Sequence, residues 1–596
     1  MLRERPPLRE SATGRAAVSS AHPVATEAGL EMLRRGGNVV DAAVAVSFAL
    51  GVVEPDASGI GGYGQMLLLT TGMREPVVLE FMARVPEEAT LANAALLRGG
   101  RLPEDGPVLA IVPGTVAAMH EAWTRHGKLP WAELLAPAIR AARDGYVVSE
   151  GLATTLATER EHFRKYEGSR ALFFREGEPL RAGDTLRNPD LAWTLERIAA
   201  GGADAFYEGE VARRMVADLR GQGSPMTLAD LARYYAAERA PVATTYRGRT
   251  VYSSAPPVSG GATLAAQLNL LERFAAPRPY PDDAATLHAM ASAWQLVPST
   301  RGRIADPGLW PVTLTPFTSK DTAQARWRCF DPARALTAAD VRGDSLPCAA
   351  PRPQPASAVP ERGSRIGAAG SDADSGAPRL AEHAECDPND VLHERTTVCH
   401  STGTTAFVVA DAEGNVVSVT QTLGTWGGNF YVSPGLGFLY NDKLGSYGSE
   451  PDAYGARLPY ARHGSTIAPT IVVTGEGARR RPLLALGAAG NAWITAAVYQ
   501  TLTGMLDGRL DPQAALELPR FLPSGRAPGA RGITLQVEDG LAPAVERRLE
   551  TLGYRLQKIS LRGELRMGYG AALLIGDRTV TAGADPRRSG AAGAVP

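Results

Sequence analysis

The chain has 596 residues, and its 62 basic and 63 acidic side chains give a formal net charge of −1. This balance argues against a nucleic-acid or anionic-membrane partner, and no apolar run approaches the roughly eighteen residues of a membrane-spanning helix. The length exceeds what one core unit accommodates, so two or more are expected. Residues 1–15 lack the apolar centre of a signal peptide, which predicts a cytoplasmic protein.

The N-terminal region predicts two helices followed by a glycine-rich turn. Apolar residues recur at helical spacing over 24–33, whereas 41–53 is almost wholly apolar and predicts a buried helix. A glycine cluster at 58–64 then precedes a strand at 65–70. No Lys-Ser/Thr follows the cluster, as a phosphate-binding loop would require, so it indicates close backbone packing rather than a nucleotide site.

The middle of the chain predicts helices and then a linker. Apolar spacing predicts helices over 129–144, 191–200 and 211–219. Between about 347 and 397 the composition shifts to Pro, Ala, Gly, Ser and charge, with almost no large apolar residues. That composition predicts a mobile linker.

Four cysteines fall in the middle third of the chain, two of them near His393 and His400 in or beside the predicted linker. Their spacing is irregular and includes no CxxC pair, and a mobile context is unsuited to a fixed set of ligands. The sequence therefore predicts neither a metal site nor a disulfide framework. The cysteines are Cys329, Cys348, Cys386 and Cys399.

Residues 403–423 predict a β-hairpin, in which two runs rich in β-branched and apolar residues flank a loop of turn formers. Centring the loop on Glu413 sets the register and places Thr404 opposite Thr422. The two threonine hydroxyls are therefore predicted to lie side by side at the open end of the hairpin. The other predicted pairs are Ala410 with Val416 and Phe407 with Val419.

Gly403 precedes the first of these threonines, and its missing side chain leaves its carbonyl open to attack. If this peptide bond breaks, Thr404 becomes an N-terminus that carries a hydroxyl nucleophile and an amine base on one residue. A Gly-Thr pair is also a common start of a strand, and the hairpin alone favours a purely structural role. The rest of the chain decides between the two.

Beyond the hairpin, strands and helices alternate. Strands are predicted at 470–473 and 482–486, and helices at 493–506 and 542–552. This alternation is typical of stacked sheets between helical layers.

Sequence blocks spread along almost the whole chain resemble the γ-glutamyltranspeptidase family of N-terminal nucleophile hydrolases. They occur in the family's order, and the resemblance fails only between about 300 and 402. A Gly-Thr pair alone is weak, but the ordered set is specific, so self-cleavage before Thr404 becomes the favoured hypothesis. The matching blocks are 20–26, 36–43, 59–62, 112–116, 141–145, 256–261, 403–404 and 411–422.

The resemblance implies a role for each of several residues. Thr404 takes the place of the nucleophile, and Thr422 matches the threonine that hydrogen-bonds to it. The remaining matches are Asn441 and Asp442 beside the acyl pocket, Ser465 and Thr466 at the serine pair that holds the γ-glutamyl α-carboxylate, and Gly490 and Asn491 at the glycine pair whose N–H groups form the oxyanion hole.

Other positions depart from the family pattern. The arginine that pairs with the substrate α-carboxylate falls on Met82, with Arg84 on the same face only if the segment is extended. The acidic residue that receives the α-ammonium falls near Ser446, and an asparagine after the second threonine is Gly424 here. Deleting one partner of a buried charge pair costs several kcal/mol, so we expect intact catalytic machinery with an altered γ-glutamyl clamp.

The resemblance implies an α+β fold, the four-layer αββα sandwich, cut into residues 1–403 and 404–596. The expected enzyme hydrolyses or transfers a γ-glutamyl or related acyl group from a small-molecule donor to water or an amine. It needs no cofactor and no metal, and its two chains come from one precursor, with a dimer of these left open. The alternatives are a related acylase or carbon–carbon hydrolase on a non-glutamyl substrate in natural-product biosynthesis, and an uncut, non-catalytic homologue.

Overall fold

A computed structural model describes most of the chain. Its ranges are 9–275, 277–337, 339–341, 344–349, 403–448, 450, 452–475, 477–490, 493–524, 533–559 and 568–596. The predicted linker from 350 onward, with Cys386, Cys399, His393 and His400, lies outside the described residues, as does Asn491. Within the described ranges no helix combines the length and apolar character that a bilayer crossing requires.

The helices confirm the apolar periodicity of the sequence, because each predicted helix overlaps an observed one. The longest, α8, bends at Gly202. The helices in the described ranges are α1 (Pro23–Arg34), α2 (Val39–Val53), α3 (Thr115–His126), α4 (Trp131–Asp144), α5 (Glu150–Thr158), α6 (Arg160–Arg164), α7 (Glu167–Phe173), α8 (Pro189–Tyr207), α9 (Glu210–Gly221), α10 (Leu228–Ala232), α11 (Gly260–Leu271), α12 (Ala284–Gln295), α13 (Thr315–Thr318), α14 (Lys320–Trp327), α15 (Trp493–Leu506), α16 (Pro512–Leu516) and α17 (Pro543–Thr551).

Most of the strands belong to two large sheets. The strands in the described ranges are β1 (Ala12–Gly14), β2 (Ala16–Ser20), β3 (Tyr63–Leu69), β4 (Val77–Phe81), β5 (Tyr146–Val147), β6 (Phe174–Arg175), β7 (Glu178–Pro179), β8 (Thr185–Leu186), β9 (Ala237–Arg239), β10 (Val242–Tyr246), β11 (Arg249–Ser253), β12 (Thr404–Asp411), β13 (Val416–Thr422), β14 (Thr470–Thr474), β15 (Arg481–Ala489), β16 (Phe521–Ser524), β17 (Ile533–Glu538), β18 (Tyr554–Ile559), β19 (Tyr569–Ile575), β20 (Val580–Ala584) and β21 (Ala591–Val595).

Both large sheets have seven strands and are antiparallel throughout. Sheet A has the order β1-β20-β19-β15-β14-β11-β10, and sheet B has the order β21-β2-β12-β13-β3-β4-β9. A smaller sheet joins β16, β17 and β18. Helices together with antiparallel sheets make the fold α+β, as predicted.

The predicted hairpin is confirmed residue by residue. Strands β12 and β13 pair in the predicted register, in the centre of sheet B. The observed pairs include Thr404–Thr422, Phe407–Val419 and Ala410–Val416.

The two sheets pack against each other beneath this hairpin. The Ser418 hydroxyl on β13 donates to the carbonyl of Leu486 on β15 at 2.8 Å. A Cβ on Gly487 would lie 3.3 Å from the Cβ of Ala406 on β12. Helix α2 packs on β12, and α15 packs on β15.

The buried helix α2 begins at a capping box, a reciprocal arrangement that stabilises a helix N-terminus. The Asn38 side chain accepts from the N–H of Asp41 at 3.0 Å, and the Asp41 carboxylate accepts from the N–H of Asn38 at 2.9 Å. Further along the helix, the Ser47 hydroxyl donates to Gln421 on β13 at 2.6 Å. These bonds fix α2 against the hairpin.

The glycine cluster provides close backbone contact, as predicted. A Cβ on Gly61 would lie 2.2 Å from the carbonyl oxygen of Leu439, and a Cβ on Gly64 would lie 2.2 Å from that of Thr420. These distances are too short for any side chain, so the cluster brings β3 and its preceding turn directly against neighbouring backbone.

The expectation of no disulfide is wrong for one pair, because Cys329 and Cys348 are bonded. An irregular loop returns Cys348 toward the end of α14, held by a bidentate ion pair from Arg334 to Asp340 at 2.7 and 2.8 Å. The Cys348 N–H also bonds the Asp340 carbonyl. Spacing along the sequence does not reveal this return of the chain, since it depends on tertiary contacts.

Candidate active site

Two threonine hydroxyls converge on the carbonyl oxygen of Gly403. The Thr422 hydroxyl donates to that oxygen, and Thr404 Oγ1 lies 2.8 Å from it and 3.0 Å from Thr422 Oγ1. The N–H of Gly424 donates to Thr422 Oγ1 at 2.9 Å. The Thr422 hydroxyl donates its hydrogen bond to the Gly403 carbonyl. The lone pairs of Thr422 Oγ1 can therefore accept hydrogen bonds from the Thr404 hydroxyl and from the N–H of Gly424. This chain of hydrogen bonds polarises the Gly403 carbonyl and orients Thr404 toward it.

The peptide unit before Thr404 is enclosed by backbone. A Cβ on Gly403 would lie 2.8 Å from the carbonyl oxygen of Asp56 and 2.9 Å from that of Thr425. The N–H of Gly427 donates to the same Asp56 carbonyl at 2.7 Å. Any side chain at residue 403 would displace this loop, so glycine is required by the packing as well as by the chemistry.

Asn441 is wholly buried, and its side-chain amide is committed to backbone. The amide nitrogen donates to the carbonyls of Gly61 and Ile111 at 3.0 and 2.8 Å, and the amide oxygen accepts from the N–H of Ile111 at 3.2 Å. In this arrangement Asn441 fixes the segment that leads to Asp442.

Asp442 ties the loop after Thr422 to a buried lysine. Its carboxylate accepts from the Thr425 hydroxyl at 2.6 Å and from the Thr425 N–H at 3.1 Å, and lies 2.9 Å from Lys443 Nζ. Burial raises the pKa of the Asp442 carboxyl, but the Lys443 ammonium and the Thr425 bonds outweigh burial and bring the pKa below its usual range.

Lys443 is one charged residue beside the site that the sequence reasoning missed. Its side chain occupies the space that glycine leaves at residue 424, where a Cβ would lie 2.3 Å from Lys443 Cε and 2.7 Å from Nζ. The side chain is only 8% exposed. The sequence did contain one indication, because Gly424 replaces an asparagine of the family pattern. The missing side chain at residue 424 leaves room for the Lys443 ammonium.

Ser465 and Thr466 lie on the extended segment that leads into β14, and both are half-buried. The Ser465 carbonyl accepts from the N–H and the hydroxyl of Ser259 at 2.8 and 3.1 Å. The Thr495 hydroxyl at the start of α15 donates to the Thr466 carbonyl at 3.4 Å. The backbone of this pair is thus fixed from two helices.

The segment that carries Met82 contains a buried ion pair. Glu80 and Arg462 lie 3.0 Å apart, and the Glu80 carboxylate also accepts from the N–H of Met82 at 2.6 Å. Burial raises the pKa of Glu80 although Arg462 opposes the shift. Met82 itself is fully buried and apolar, so it brings no charge to the place of the family's arginine.

Arg84 and Ser446, the other residues considered for the clamp, are both engaged locally. The Arg84 guanidinium donates to the carbonyls of Tyr460 and Arg233 at 3.1 and 2.8 Å. Ser446 is buried, and its N–H donates to the Lys443 carbonyl at 3.0 Å. The position expected to receive an ammonium therefore carries a neutral hydroxyl next to Lys443.

Gly490 follows β15 at the same end of the molecule as Thr404. Ala489 pairs with Tyr569, whose ring lies 5.4 Å from Arg588 Cζ, and Arg588 donates to the Thr404 carbonyl at 2.6 Å. The φ of Gly490 is 119°, a conformation that favours glycine. Its assumed partner in the oxyanion hole, Asn491, lies outside the described residues.

Two further contacts around Thr404 and Thr405 were also missed by the sequence reasoning. The Thr405 hydroxyl donates to Glu54, at the end of α2, at 2.9 Å, and Arg588 donates to the Thr404 carbonyl as described above. An Arg-Arg dipeptide near the end of a chain is typical of a solvated surface and gave no signal of this role. Among the described residues, no group of three His, Cys, Asp or Glu side chains is placed to bind a metal ion.

A buried threonine that faces the carbonyl of the preceding glycine, at the start of a central strand, is the arrangement of hydrolases that produce their own N-terminal nucleophile. The γ-glutamyltranspeptidase family model matches residues 25–595. The glutathione hydrolase proenzyme of Escherichia coli K12 is 31% identical over 96% of this chain and 90% of its own length. The chain therefore belongs to the γ-glutamyltranspeptidase family.

Acylases are also among the similar proteins. The acylase ACY 1 proenzyme of a Pseudomonas species (strain V22) is 29% identical, over 92% of this chain and 88% of its own length. The crystal structure of a cephalosporin acylase from Bacillus halodurans superposes with a TM-score of 0.80 at 26% identity, covering 99% of this chain and 98% of the other.

We expect the purified protein to consist of two fragments, the smaller beginning Thr404-Thr405-Ala406. The reason is that hydrogen bonds polarise the Gly403 carbonyl and the Thr404 hydroxyl lies next to it. Thr404→Ala should leave one uncut chain, and Thr404→Ser should still cut, more slowly, since a hydroxyl remains. Intact mass and N-terminal sequencing provide the measurement.

Thr405→Ala is the matched control for this cleavage, because its hydroxyl bonds Glu54 and not the Gly403 carbonyl. It should cut like the unmodified chain. A mature sample whose only N-terminus lies near Met1 would contradict the hypothesis.

Thr422→Val keeps the shape of the side chain but removes the hydroxyl that contacts Thr404 Oγ1 and the Gly403 carbonyl. We expect kcat/KM to fall ten- to a hundredfold, about 1.4–2.7 kcal/mol, and self-cleavage to slow. Steady-state kinetics on the cut fraction and a time course on a denaturing gel measure the two effects.

Thr420→Val makes the same change two residues earlier on β13. Thr420 Oγ1 is buried without a hydrogen-bond partner among the described residues, so this control should leave the rate unchanged. Equal rates for Thr422→Val and Thr420→Val in fully cut protein would show that the role of Thr422 is wrong.

Proposed function

We propose that the chain cuts itself before Thr404 and then works as an acyl-transferring hydrolase with Thr404 as its nucleophile. The observation that carries the proposal is the convergence of the Thr404 and Thr422 hydroxyls on the Gly403 carbonyl. The maturation yields residues 1–403 and 404–596 as two chains of one enzyme. Agreement with the family across nearly the whole chain supports this division.

The cut proceeds as an N-to-O acyl shift followed by hydrolysis. Thr404 Oγ1 attacks the Gly403 carbonyl carbon, and the oxygen that becomes negative keeps the hydrogen bond from Thr422. The C–N bond then breaks, the proton from the Thr404 hydroxyl passes to the departing nitrogen, and Gly403 is left as an ester on Thr404. Water hydrolyses this ester, which gives the Gly403 carboxylate and a Thr404 with free hydroxyl and free amine.

Turnover repeats this chemistry on an external acyl donor. Thr404 Oγ1 attacks the donor carbonyl while the α-amine, whose unperturbed pKa is roughly 7.7–8.0, takes the hydroxyl proton. The N–H groups of Gly490 and Asn491 are proposed to hold the oxyanion. The α-ammonium returns the proton to the donor's leaving group as its bond to the acyl carbon breaks, which leaves the acyl group as an ester on Thr404. Water or an amine then attacks this ester and takes the acyl group, Thr404 Oγ1 regains a proton, and no step requires a cofactor.

The acyl donor is proposed to be a γ-glutamyl compound or a related acyl compound. The relative named glutathione hydrolase supports the γ-glutamyl donor. The proposed binding residues are Ser465 and Thr466 for a carboxylate and the Asn441–Asp442 segment for the wall of the pocket. Arg84 is proposed as a further contact of the donor, and its guanidinium also donates to the carbonyls of Tyr460 and Arg233.

A second candidate, an acylase that takes a donor with a carboxylate but no ammonium, is favoured by the charges beside Thr422. Ser446 offers no negative charge to an ammonium, and the adjacent Lys443 repels one. A positive charge at this place attracts a substrate carboxylate. The acylases among the similar proteins agree with this candidate.

The finer architecture and the cellular location are also proposals. We infer a four-layer αββα sandwich, with helices such as α2 outside sheet B and α15 outside sheet A. The predicted cytoplasmic location has one observation against it, since a disulfide such as Cys329–Cys348 is typical of oxidising compartments. A dimer of the two-chain enzyme stays a prediction.

Three p-nitroanilides with acyl chains of equal length separate the two donors: γ-glutamyl, glutaryl without the amine, and pentanoyl without either charge. We expect γ-glutamyl anilide to be a poor substrate with weak saturation. Glutaryl anilide should exceed it in kcat/KM by about tenfold, which is the size of effect expected for one charge contact. Lys443→Met should lower the rate for glutaryl anilide and spare pentanoyl anilide, the internal control for folding and self-cleavage.

Restoring the missing charges provides the converse test. Met82→Arg with Ser446→Asp should improve kcat/KM for γ-glutamyl anilide by more than the two single changes together, because both charges bind one ligand. If the unmodified enzyme already has a KM for γ-glutamyl anilide below about 1 mM, a value within the usual range for enzymes, another group supplies the clamp and the γ-glutamyl donor is established.

A further inference from the structure

The carbonyl of the nucleophile residue itself is held by an arginine from the C-terminal part of the chain. Arg588 Nη1 donates to Thr404 O at 2.6 Å, and the side chain of this arginine is only 6% exposed. In the ladder that the structure describes, β2 pairs with β12 only at 408–411. The guanidinium thus binds a strand edge that β2 does not reach.

The guanidinium sits in a site built from three elements. Its Cζ lies 4.5 Å from the ring of Trp426, in the loop beside Gly403, and 5.4 Å from the ring of Tyr569 on β19. Nη1 lies 4.0 Å from Glu54, the same carboxylate that accepts from the Thr405 hydroxyl. Aromatic faces on a cation and a carboxylate at its edge define a specific place for a planar charge.

The backbone around Arg588 is anchored on both sides. The preceding residue, Arg587, bonds Glu538 at 2.7 Å and Asp585 at 3.2 Å in a fully buried cluster. Just after it, β21 pairs with β2. Arg588 is therefore held in place from outside the site and does not depend on the nucleophile for its position.

We propose that Arg588 is a positioning residue that fixes the carbonyl of Thr404 and holds a positive charge beside the α-amine created by self-cleavage, so that this amine remains neutral and able to act as the base. The proposal rests on the self-cleavage described under the proposed function. It adds a role for a residue that takes no part in the bond-breaking steps.

The physical reason is the short distance between a residue's own nitrogen and its own carbonyl oxygen, at most about 4 Å. With Nη1 2.6 Å from that oxygen, the guanidinium Nη1 lies within about 7 Å of the amine. A like charge at that range disfavours the ammonium form and lowers the pKa of the amine. A neutral amine can accept the hydroxyl proton, whereas an ammonium cannot.

The other ionisable groups around Thr404 do not cancel this charge. Glu54 faces Arg588 and tempers it from 4.0 Å. Asp442 and Lys443, across the loop after Thr422, form an ion pair that is the same in every variant compared. Burial raises the pKa of Tyr569, which keeps its phenol neutral. Asp56 approaches Gly403 through its backbone carbonyl, and Arg588 remains the cation that bonds Thr404 directly.

The test is the pH profile of kcat/KM for the cut enzyme, with glutaryl or γ-glutamyl p-nitroanilide, whichever the unmodified enzyme turns over faster. The acidic limb of this profile is the fall in kcat/KM at low pH, where the Thr404 α-amine becomes protonated. Arg588→Met removes the positive charge, so the limb should move to higher pH by about half to one unit, and activity should recover near pH 9. Arg588→Lys keeps the charge and should leave the limb near its original position. Arg481→Met, at an exposed ion pair on the first residue of β15, is the control for loss of an arginine and should not move the limb.

Glu54→Gln provides an independent reading in the opposite direction. It removes the opposing charge while an amide oxygen can still accept from Thr405, so the acidic limb should move downward. If Arg588→Met fails to fold or cut, this variant decides alone. A uniform loss of rate with an unmoved limb in Arg588→Met, or an unmoved limb in Glu54→Gln, would overturn the proposal.

These outcomes are distinct from failure of the proposed function. Intact mass is measured first on every variant, and an unmodified chain that is never cut would refute self-cleavage before any pH profile is recorded. If the enzyme is cut and active but its pH profile is the same in the variants at residues 54 and 588, the proposed hydrolase function is retained. That result would show that Arg588 does not control the pKa of the α-amine.

Discussion

The pairing of Thr404 with Thr422 across one antiparallel hairpin is the constraint on which the rest of the site depends. A one-residue slip in an antiparallel pair moves every side chain to the opposite face. Here such a slip would separate the two hydroxyls and remove Thr422 from the Gly403 carbonyl. The hairpin lies in the centre of sheet B, between β2 and β3, so both neighbours and the sheet beneath it hold the register. The reactive geometry is thus a property of the sheet, not of a flexible loop.

The hairpin and the helices were predictable because their signals are local and periodic. Turn formers of fixed length between two β-branched runs determine which residues face each other, and the observed pairs agree. The almost wholly apolar run at 41–53 predicted a buried helix, and α2 is that helix. In such segments the side-chain direction follows from the backbone period alone.

The charges around the site were not predictable in the same way. Arg588 and Thr404 are 184 residues apart, and nothing in an Arg-Arg dipeptide indicates that both side chains are buried or which groups each one contacts. Lys443 begins a single 3₁₀ turn, Lys443–Gly445, which is too short to show a sequence period, and its position depends on the absence of a side chain at Gly424. The Cys329–Cys348 bond likewise depends on how a loop returns. Family resemblance identified which positions matter, but only the packing shows what fills them.

The way the strands alternate between the two halves of the chain has a consequence for the mature molecule. Strands before residue 404 pair with strands after it in both sheets, as β1 with β20 and β11 with β14 in sheet A, and β2 with β12 and β21 in sheet B. Cutting the chain before Thr404 therefore releases neither half. It changes the molecularity of folding instead: the precursor folds as one chain, whereas the cut form has to reassemble from two. Dilution leaves the unfolding midpoint of a single chain unchanged but lowers that of a two-chain assembly. The stability of the cut form therefore depends on the protein concentration, whereas that of the precursor does not.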